Sequence, residues 1–154
     1  MKTLIFTFTF IALFFSSLVS ANKLNDFFLD VGVGVEYGGL GTQFHLPFKL
    51  DDLDVFMSAG LFSASTLAGS EVGLGAGINY FLDKNNSVSL YYGALNSRSY
   101  YTDDLEAKSE LDYGISLGYK YFFNEHSRSG FSVGISYNVY ADDSYPFFSL
   151  GYRF

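Results

Sequence analysis

The chain has no cysteine and no tryptophan, only 2 prolines in 154 residues, and 9 basic residues against 16 acidic ones. Without cysteine there is no disulfide framework, no zinc–thiolate site and no thiol chemistry. An acidic chain with scattered Lys and Arg lacks the basic face that nucleic-acid recognition needs. Beyond residue 21 no apolar run reaches the roughly 20 residues of a membrane-spanning helix. No segment keeps a helical period long enough to compete with a period of two. There is no second domain, linker or low-complexity tract, and the length suits one domain.

What is present is aromatic and small: 18 Phe, 13 Tyr and 16 Gly. The first residues read as a leader. Met1-Lys2 is a short positive start, Leu4 to Phe15 is apolar apart from Thr7 and Thr9, and Val19-Ser20-Ala21 offers small residues for cleavage before Asn22. The expected organisation is a signal peptide over residues 1–21 and one domain over 22–154. Loss of Lys2 with the leader leaves the mature chain one charge more negative than the −7 of the whole.

The mature part reads as eight strands of alternating character. The first, from about Phe28 to Tyr37, sets Leu29, Val31, Val33, Val35 and Tyr37 against Asp30, Gly32, Gly34 and Glu36, and Gly38-Gly39 then makes a hairpin turn. The second sets Leu40, Thr42, Phe44, Leu46 and Phe48 against Gly41, Gln43, His45 and Lys49; residues 51–54 turn the chain. The third shows Val55, Met57, Ala59 and Leu61. The fourth sets Val72, Leu74, Ala76, Ile78 and Tyr80 against Glu71, three glycines and Asn79. After a turn at 83–86, the fifth sets Val88, Leu90, Tyr92 and Ala94 against Ser89, Tyr91 and Gly93. The longest connection is expected from about Asn96 to Glu110. The sixth sets Leu111, Tyr113, Ile115, Leu117, Tyr119 and Tyr121 against Asp112, Gly114, Ser116, Gly118 and Lys120. The seventh runs from Phe131 to Val139. The eighth ends the chain with Phe148, Leu150, Tyr152 and Phe154 alternating with Ser149, Gly151 and Arg153.

An even number of strands, each about long enough to cross a bilayer at a tilt, predicts an all-β, eight-stranded antiparallel up-and-down transmembrane β-barrel. The rival is a soluble ligand-binding barrel with its bulky face inward. The interior of eight strands is only just wide enough for side chains to fill. The greasy face here carries too much volume for that space, whereas the Gly- and Ser-rich face fits it. With both termini on one side, turns 51–54, 83–86 and 124–130 lie at the periplasmic end. The aromatics then fall into two girdles. Phe48, Tyr80, Tyr119, Tyr121, Phe131, Tyr152 and Phe154 lie toward the periplasm, and Tyr37, Tyr92, Tyr113 and Tyr137 toward the outside.

With its leader, its alternation and its terminal Phe, the chain resembles the small eight-stranded outer-membrane barrel proteins of the OmpX and OmpA transmembrane-domain type. The resemblance implies a location in the bacterial outer membrane after cleavage near Ala21. It implies contact with membrane lipid and lipopolysaccharide, and a monomeric barrel. It also implies an assembly signal in Phe148, Leu150, Tyr152 and Phe154 that the barrel assembly machinery reads. Members of this group are structural barrels, adhesion or defence factors, narrow channels and lipid-modifying enzymes, and architecture alone does not choose among them. The expected role is a structural or interaction barrel, with a narrow charged pore as the alternative and a lipid-modifying enzyme less favoured. No catalytic residue, cofactor or metal site is expected.

The candidate chemistries are thin. His126, Ser127 and Ser129 invite comparison with the outer-membrane lipid A deacylase, PagL type. That family spaces its residues His-x-Ser, and here Arg128 stands where the Ser would be. Asp103, Asp104, Glu106 and Glu110 crowd one outer connection without the ligand spacing of a calcium loop. The Gly-x-Gly runs have no following helix to make a phosphate loop. More informative are the charges that strand parity turns inward: Asp30, Glu36, His45, Lys49, Glu71, Asp112, Lys120 and Arg153. Closure brings the first and last strands together, so Asp30 is expected to bridge to Arg153, flanked by Lys49. Glu36, Glu71 and Asp112 are expected near the outer mouth with no base at their height, making the lumen acidic outside and basic toward the periplasm.

Overall fold

A computed structural model describes residues 28–50, 52–65, 69–101, 107–141 and 143–154, with only the backbone described for 47–50, 64 and 65. The expected leader, the loop residues Asp103, Asp104 and Glu106, and the side chains of Lys49 and Phe48 lie outside the described residues. The chain forms eight strands: β1 (Leu29–Gly34), β2 (Gly39–Leu50), β3 (Leu53–Ser65), β4 (Gly69–Phe81), β5 (Asn86–Tyr101), β6 (Ala107–Phe122), β7 (Gly130–Tyr140) and β8 (Asp143–Arg153). Each pairs antiparallel with the next, and β1 pairs with β8 to close the barrel.

Period-two alternation decides which way each side chain points. Leu74, Leu117, Phe131 and Ile135 stand exposed on the outer wall, while Gln43, Asn79, Ser89, Lys120 and Asn138 are buried inside. This is the reverse of a soluble fold, where large apolar side chains are buried and charges are exposed. Of the expected aromatic girdles, Tyr80, Tyr119, Tyr121, Phe131 and Phe154 at one end and Tyr92, Tyr113 and Tyr137 toward the other are exposed on this wall.

Two features depart from the expected strands. The first strand stops at Gly34, and Val35–Tyr37 form a short 3-10 turn closed by the Gly38 amide donating to the Val35 carbonyl at 2.9 Å. Gly38 and Gly39 have φ of 70° and 98°, a left-handed backbone that glycine adopts without strain. The turn folds into the barrel mouth, so Val35 and Tyr37 are buried rather than facing outward, and Tyr37 is not part of the outer girdle. The expected long loop from Asn96 to Glu110 is mostly strand. β5 and β6 pair up to Tyr101↔Ala107, and only residues 102–106 connect them. β4 accompanies β5 no further than Gly93 and β7 accompanies β6 no further than Gly114, so the remainder is a two-stranded ribbon. One face sets Arg98 opposite Glu110 and Tyr100 opposite Lys108, and the other mixes Ser97, Ser99 and Ser109 with Leu111 and Ala107. Opposite charges facing each other stabilise a ladder but erase the apolar alternation by which strands are recognised.

Candidate functional site: a charged lumen filled across its width

The lumen is built in layers. At the end of the barrel that holds Phe154, Asp30 on β1 and Arg153 on β8 are cross-strand partners of the closing ladder. The guanidinium grips the carboxylate in two places, Nε to Oδ1 at 2.7 Å and Nη2 to Oδ2 at 3.0 Å. Two parallel bonds of this kind are the strong geometry for an Arg–carboxylate pair. Arg153 also donates to the carbonyl of His126 at 2.6 Å, and its guanidinium lies between the rings of Phe28 and Phe122. His45 on β2 joins them, its Nε2 3.1 Å from Asp30 and its Nδ1 2.5 Å from Asp54 on β3. Asn79 donates to the same Asp54 oxygen at 3.2 Å. His45 and Asp54 flank the seam.

Asp54 is a residue that sequence reasoning placed in a turn. It lies on β3, with the inward parity of Phe56 and Ser58, and that parity was the signal that could have found it. Asp30, His45 and Asp54 are metal-ligand types, but Arg153 fills the space they face. Among the described residues no group is placed to hold a metal ion.

The second layer corrects an expectation. Glu36 and Lys120 were expected at opposite ends of the lumen, yet they pair at 3.1 Å, both nearly fully buried. The 3-10 turn carries Glu36 back down into the barrel, where Ser149 donates to its carboxylate at 3.0 Å. Lys120 reaches Gln43 at 3.2 Å and stands 5.1 Å from the centre of the Tyr37 ring. Gln43 in turn donates to the Glu36 carbonyl at 2.9 Å. A charge buried this deeply persists only where a counter-charge and hydrogen bonds replace water.

Above this come aromatics. Phe56 and Tyr91 stack with ring centres 6.2 Å apart, and Val35 and Leu95 complete an apolar cluster against which Tyr140 and Tyr145 pack. Room for such rings comes from glycine. A Cβ on Gly75 or Gly93 would collide with Tyr91, and one on Gly32 or Gly151 would collide with Tyr37. At the outer rim Asp112 is held by Arg98 and, at 3.0 Å, by Asn96. The expected acidic mouth without a base is therefore also corrected, because Arg98 lies on the strand extension that had been read as loop. Glu71 is half-buried and forms no ion pair among the described residues. Among the described residues the interior does not run from acidic to basic along its axis, because Arg153, Lys120 and Arg98 each pair with an acid at their own level.

The end of the barrel that holds the Asp30–Arg153 pair is capped by a turn. The His126 ring stacks on Phe81 with centres 3.7 Å apart and stands edge-on to Phe122. Its burial there, with the Arg153 charge beside it, holds the imidazole below its ordinary pKa. The ring faces aromatics rather than a hydroxyl, and Ser127 and Ser129 are exposed. In the β4–β5 turn, the Asn85 amide and the Asn86 amides donate to Asp83 and hold its carboxyl below the usual range.

On the outer wall of β8, Phe148, Leu150 and Phe154 are exposed, and Tyr152 is half-buried, edge-on to Phe131 at 5.0 Å and to Phe154 at 4.9 Å. No family model, curated protein or solved structure matches this chain. The geometry therefore carries the functional reading alone: an apolar outer wall and, among the described residues, a lumen occupied by ion-paired charges and aromatic rings.

Proposed function

We propose that the chain is a small integral barrel of the bacterial outer membrane, non-enzymatic, with a structural or interaction role rather than a conducting one. The observation that supports this most is the inverted polarity: Leu, Ile, Phe and Tyr cover the outside, while Asp30, Glu36, Lys120 and Arg153 are buried inside. Such a wall suits hydrocarbon. Closure suits it too, because unpaired backbone groups in lipid cost several kcal/mol each. The surrounding partners would be membrane lipid and lipopolysaccharide. The β5–β6 ribbon, with Tyr100 and Tyr101 exposed on it, is the element best placed to meet another molecule.

The pore reading is disfavoured by the paired layers, in which Asp30, Glu36, Lys120 and Arg153 are buried against one another rather than set along open water. The mature protein should sediment with outer membranes, resist carbonate extraction and migrate differently on detergent gels before and after boiling. Reconstituted in planar bilayers it should give no stable conductance steps. Recovery in the soluble periplasm with unchanged mobility would overturn the membrane reading; steady single-channel steps would return the pore.

The assembly signal is tested separately. Deleting Phe154 should sharply lower the amount reaching the outer membrane, and Phe154→Tyr should lower it less. Unchanged levels after deletion would mean that the exposed apolar face of β8 serves the barrel wall alone.

A further inference from the structure

The barrel wall has a gap. β8 is 11 residues long, but β1 pairs with it at only four positions, from Asp30↔Arg153 to Val33↔Leu150. Above Leu150, β1 has ended and the 3-10 turn has folded inward, so one edge of β8 runs on without a partner strand. The backbone direction is fixed by the Phe154 amide, which donates to the Leu29 carbonyl at 3.0 Å. Amides at alternate residues point the same way, so position 146 would present its amide to this open edge. Position 146 is proline, which has none. Proline in a sheet belongs where no ladder bond is required of it.

Beside this edge lies a cavity of about 510 Å³, within the range of sites that take small ligands. Its lining comes from both sides of the wall. Val33, Leu40 and Leu61 belong to the exposed outer face, Leu95 is buried in the lumen, Tyr145 is half-buried, and Phe147, of inward parity on β8, is exposed at the gap. The cavity therefore passes through the wall. The 3-10 turn forms its floor at Val35. Its roof is Tyr145, whose hydroxyl crosses the barrel to donate to the Leu95 carbonyl and whose ring is edge-on to Tyr140. The next residue, Pro146, stands opposite Tyr137 of β7 and, among the described residues, has no partner on the β1 side.

We infer that this crevice admits one acyl chain of a lipid in the surrounding outer leaflet. The inference rests on the membrane reading above. What selects the occupant is continuity: the mouth is a gap in the same apolar wall that would face hydrocarbon, and its sides are largely aliphatic and aromatic. Asn96 lies at its edge, with its amide already donated to Asp112.

The absence of cysteine makes the test direct. Leu95→Cys places a single thiol at the inner wall of the crevice, and Ser58→Cys places one elsewhere in the filled lumen. Each purified variant is reconstituted in phosphatidylcholine vesicles. It is exposed either to an alkyl thiosulfonate dissolved in the bilayer or to a charged, membrane-impermeant thiosulfonate in the water. Leu95→Cys should be modified by the alkyl reagent and not by the charged one, and Ser58→Cys by neither. Adding Leu61→Trp at the mouth should abolish the modification. Phe147→Cys, at the lip, provides the same readout if Leu95→Cys does not fold. No alkylation in a barrel that is folded and membrane-integrated by its gel mobility would overturn the crevice alone. Equal reaction with the charged reagent would make it an aqueous opening and overturn the lipid occupant. Failure of the parent protein to integrate into vesicles would overturn the membrane reading, and this inference with it.

Discussion

Arg153→Ala is expected to lower the free energy of unfolding by about 3–5 kcal/mol, the loss typical when one partner of a buried ion pair is removed. The reason is not that the pair is intrinsically strong. Taking both charges out of water costs nearly as much as their attraction returns. The loss comes from what remains. Without the guanidinium, Asp30 keeps, among the described residues, the His45 contact at 3.1 Å, Asp54 loses a cation 3.9 Å away, and the carbonyl of His126 loses its donor. The rings of Phe28 and Phe122 also lose the plane that separates them. Because Asp30 and Arg153 join the first and last strands, the damage falls on the closing ladder, the shortest in the barrel. Arg153→Lys should recover part of the loss, since an ammonium keeps the charge but cannot make the two-point grip. Asp30→Asn combined with Arg153→Ala should cost less than the two single changes together. The measurement is urea unfolding of protein refolded in detergent micelles, followed by the gel-mobility shift. A change within about 0.5 kcal/mol, as for an ordinary surface substitution, would mean that water reaches the seam and the pair contributes nothing.

Much of this arrangement was legible from alternation alone. Once Leu150, Tyr152 and Phe154 are placed outside, Arg153 and Gly151 must be inside, and the same parity brings Asp30, His45, Lys120 and Asn79 into the lumen. Strand count and closure then bring Asp30 to Arg153 without further assumption. What alternation does not carry is height and length. Val33, Val35 and Tyr37 continue one apolar stripe, so the first strand reads three residues too long. The chain instead turns inward at Gly34, and with it Glu36 drops to the level of Lys120. The ribbon above Gly93 and Gly114 was hidden for the opposite reason, since its polar pairs look like loop. Arg98 was missed as the partner of Asp112 on that account. Pro146 was the available sign that one side of β8 lacks a neighbour, because proline within a sheet is confined to edges, strand starts and bulges. Parity also says nothing about size. It lists Gly32 and Gly151 as small inward residues without revealing that, as cross-strand partners, they leave the space that Tyr37 fills.

That last relation leads to a size-exchange prediction. Tyr37 is fully buried, and its ring end lies where the Cβ of a residue at 151 would be. Gly151→Ala should cost about 1–3 kcal/mol, the usual range for forcing extra volume into a packed interior. Tyr37→Ala should cost about 3–5 kcal/mol as a large-to-small change that leaves a cavity and removes the ring beside the Lys120 ammonium. If the two positions share one space, the double variant must be better than the sum. The added methyl then projects into the cavity instead of into a ring, and the coupling should fall within the 0.5–3 kcal/mol found for residues in contact. Gly75→Ala serves as the control. It overfills the separate space occupied by Tyr91 and should give no relief in the Tyr37→Ala background. Unfolding of the four proteins of the cycle, in the same micelles and by the same gel shift, gives the coupling directly. Strict additivity of Gly151→Ala and Tyr37→Ala would show that Tyr37 does not occupy the gap between β1 and β8. The filled middle layer, on which the non-conducting reading depends, would fall with it.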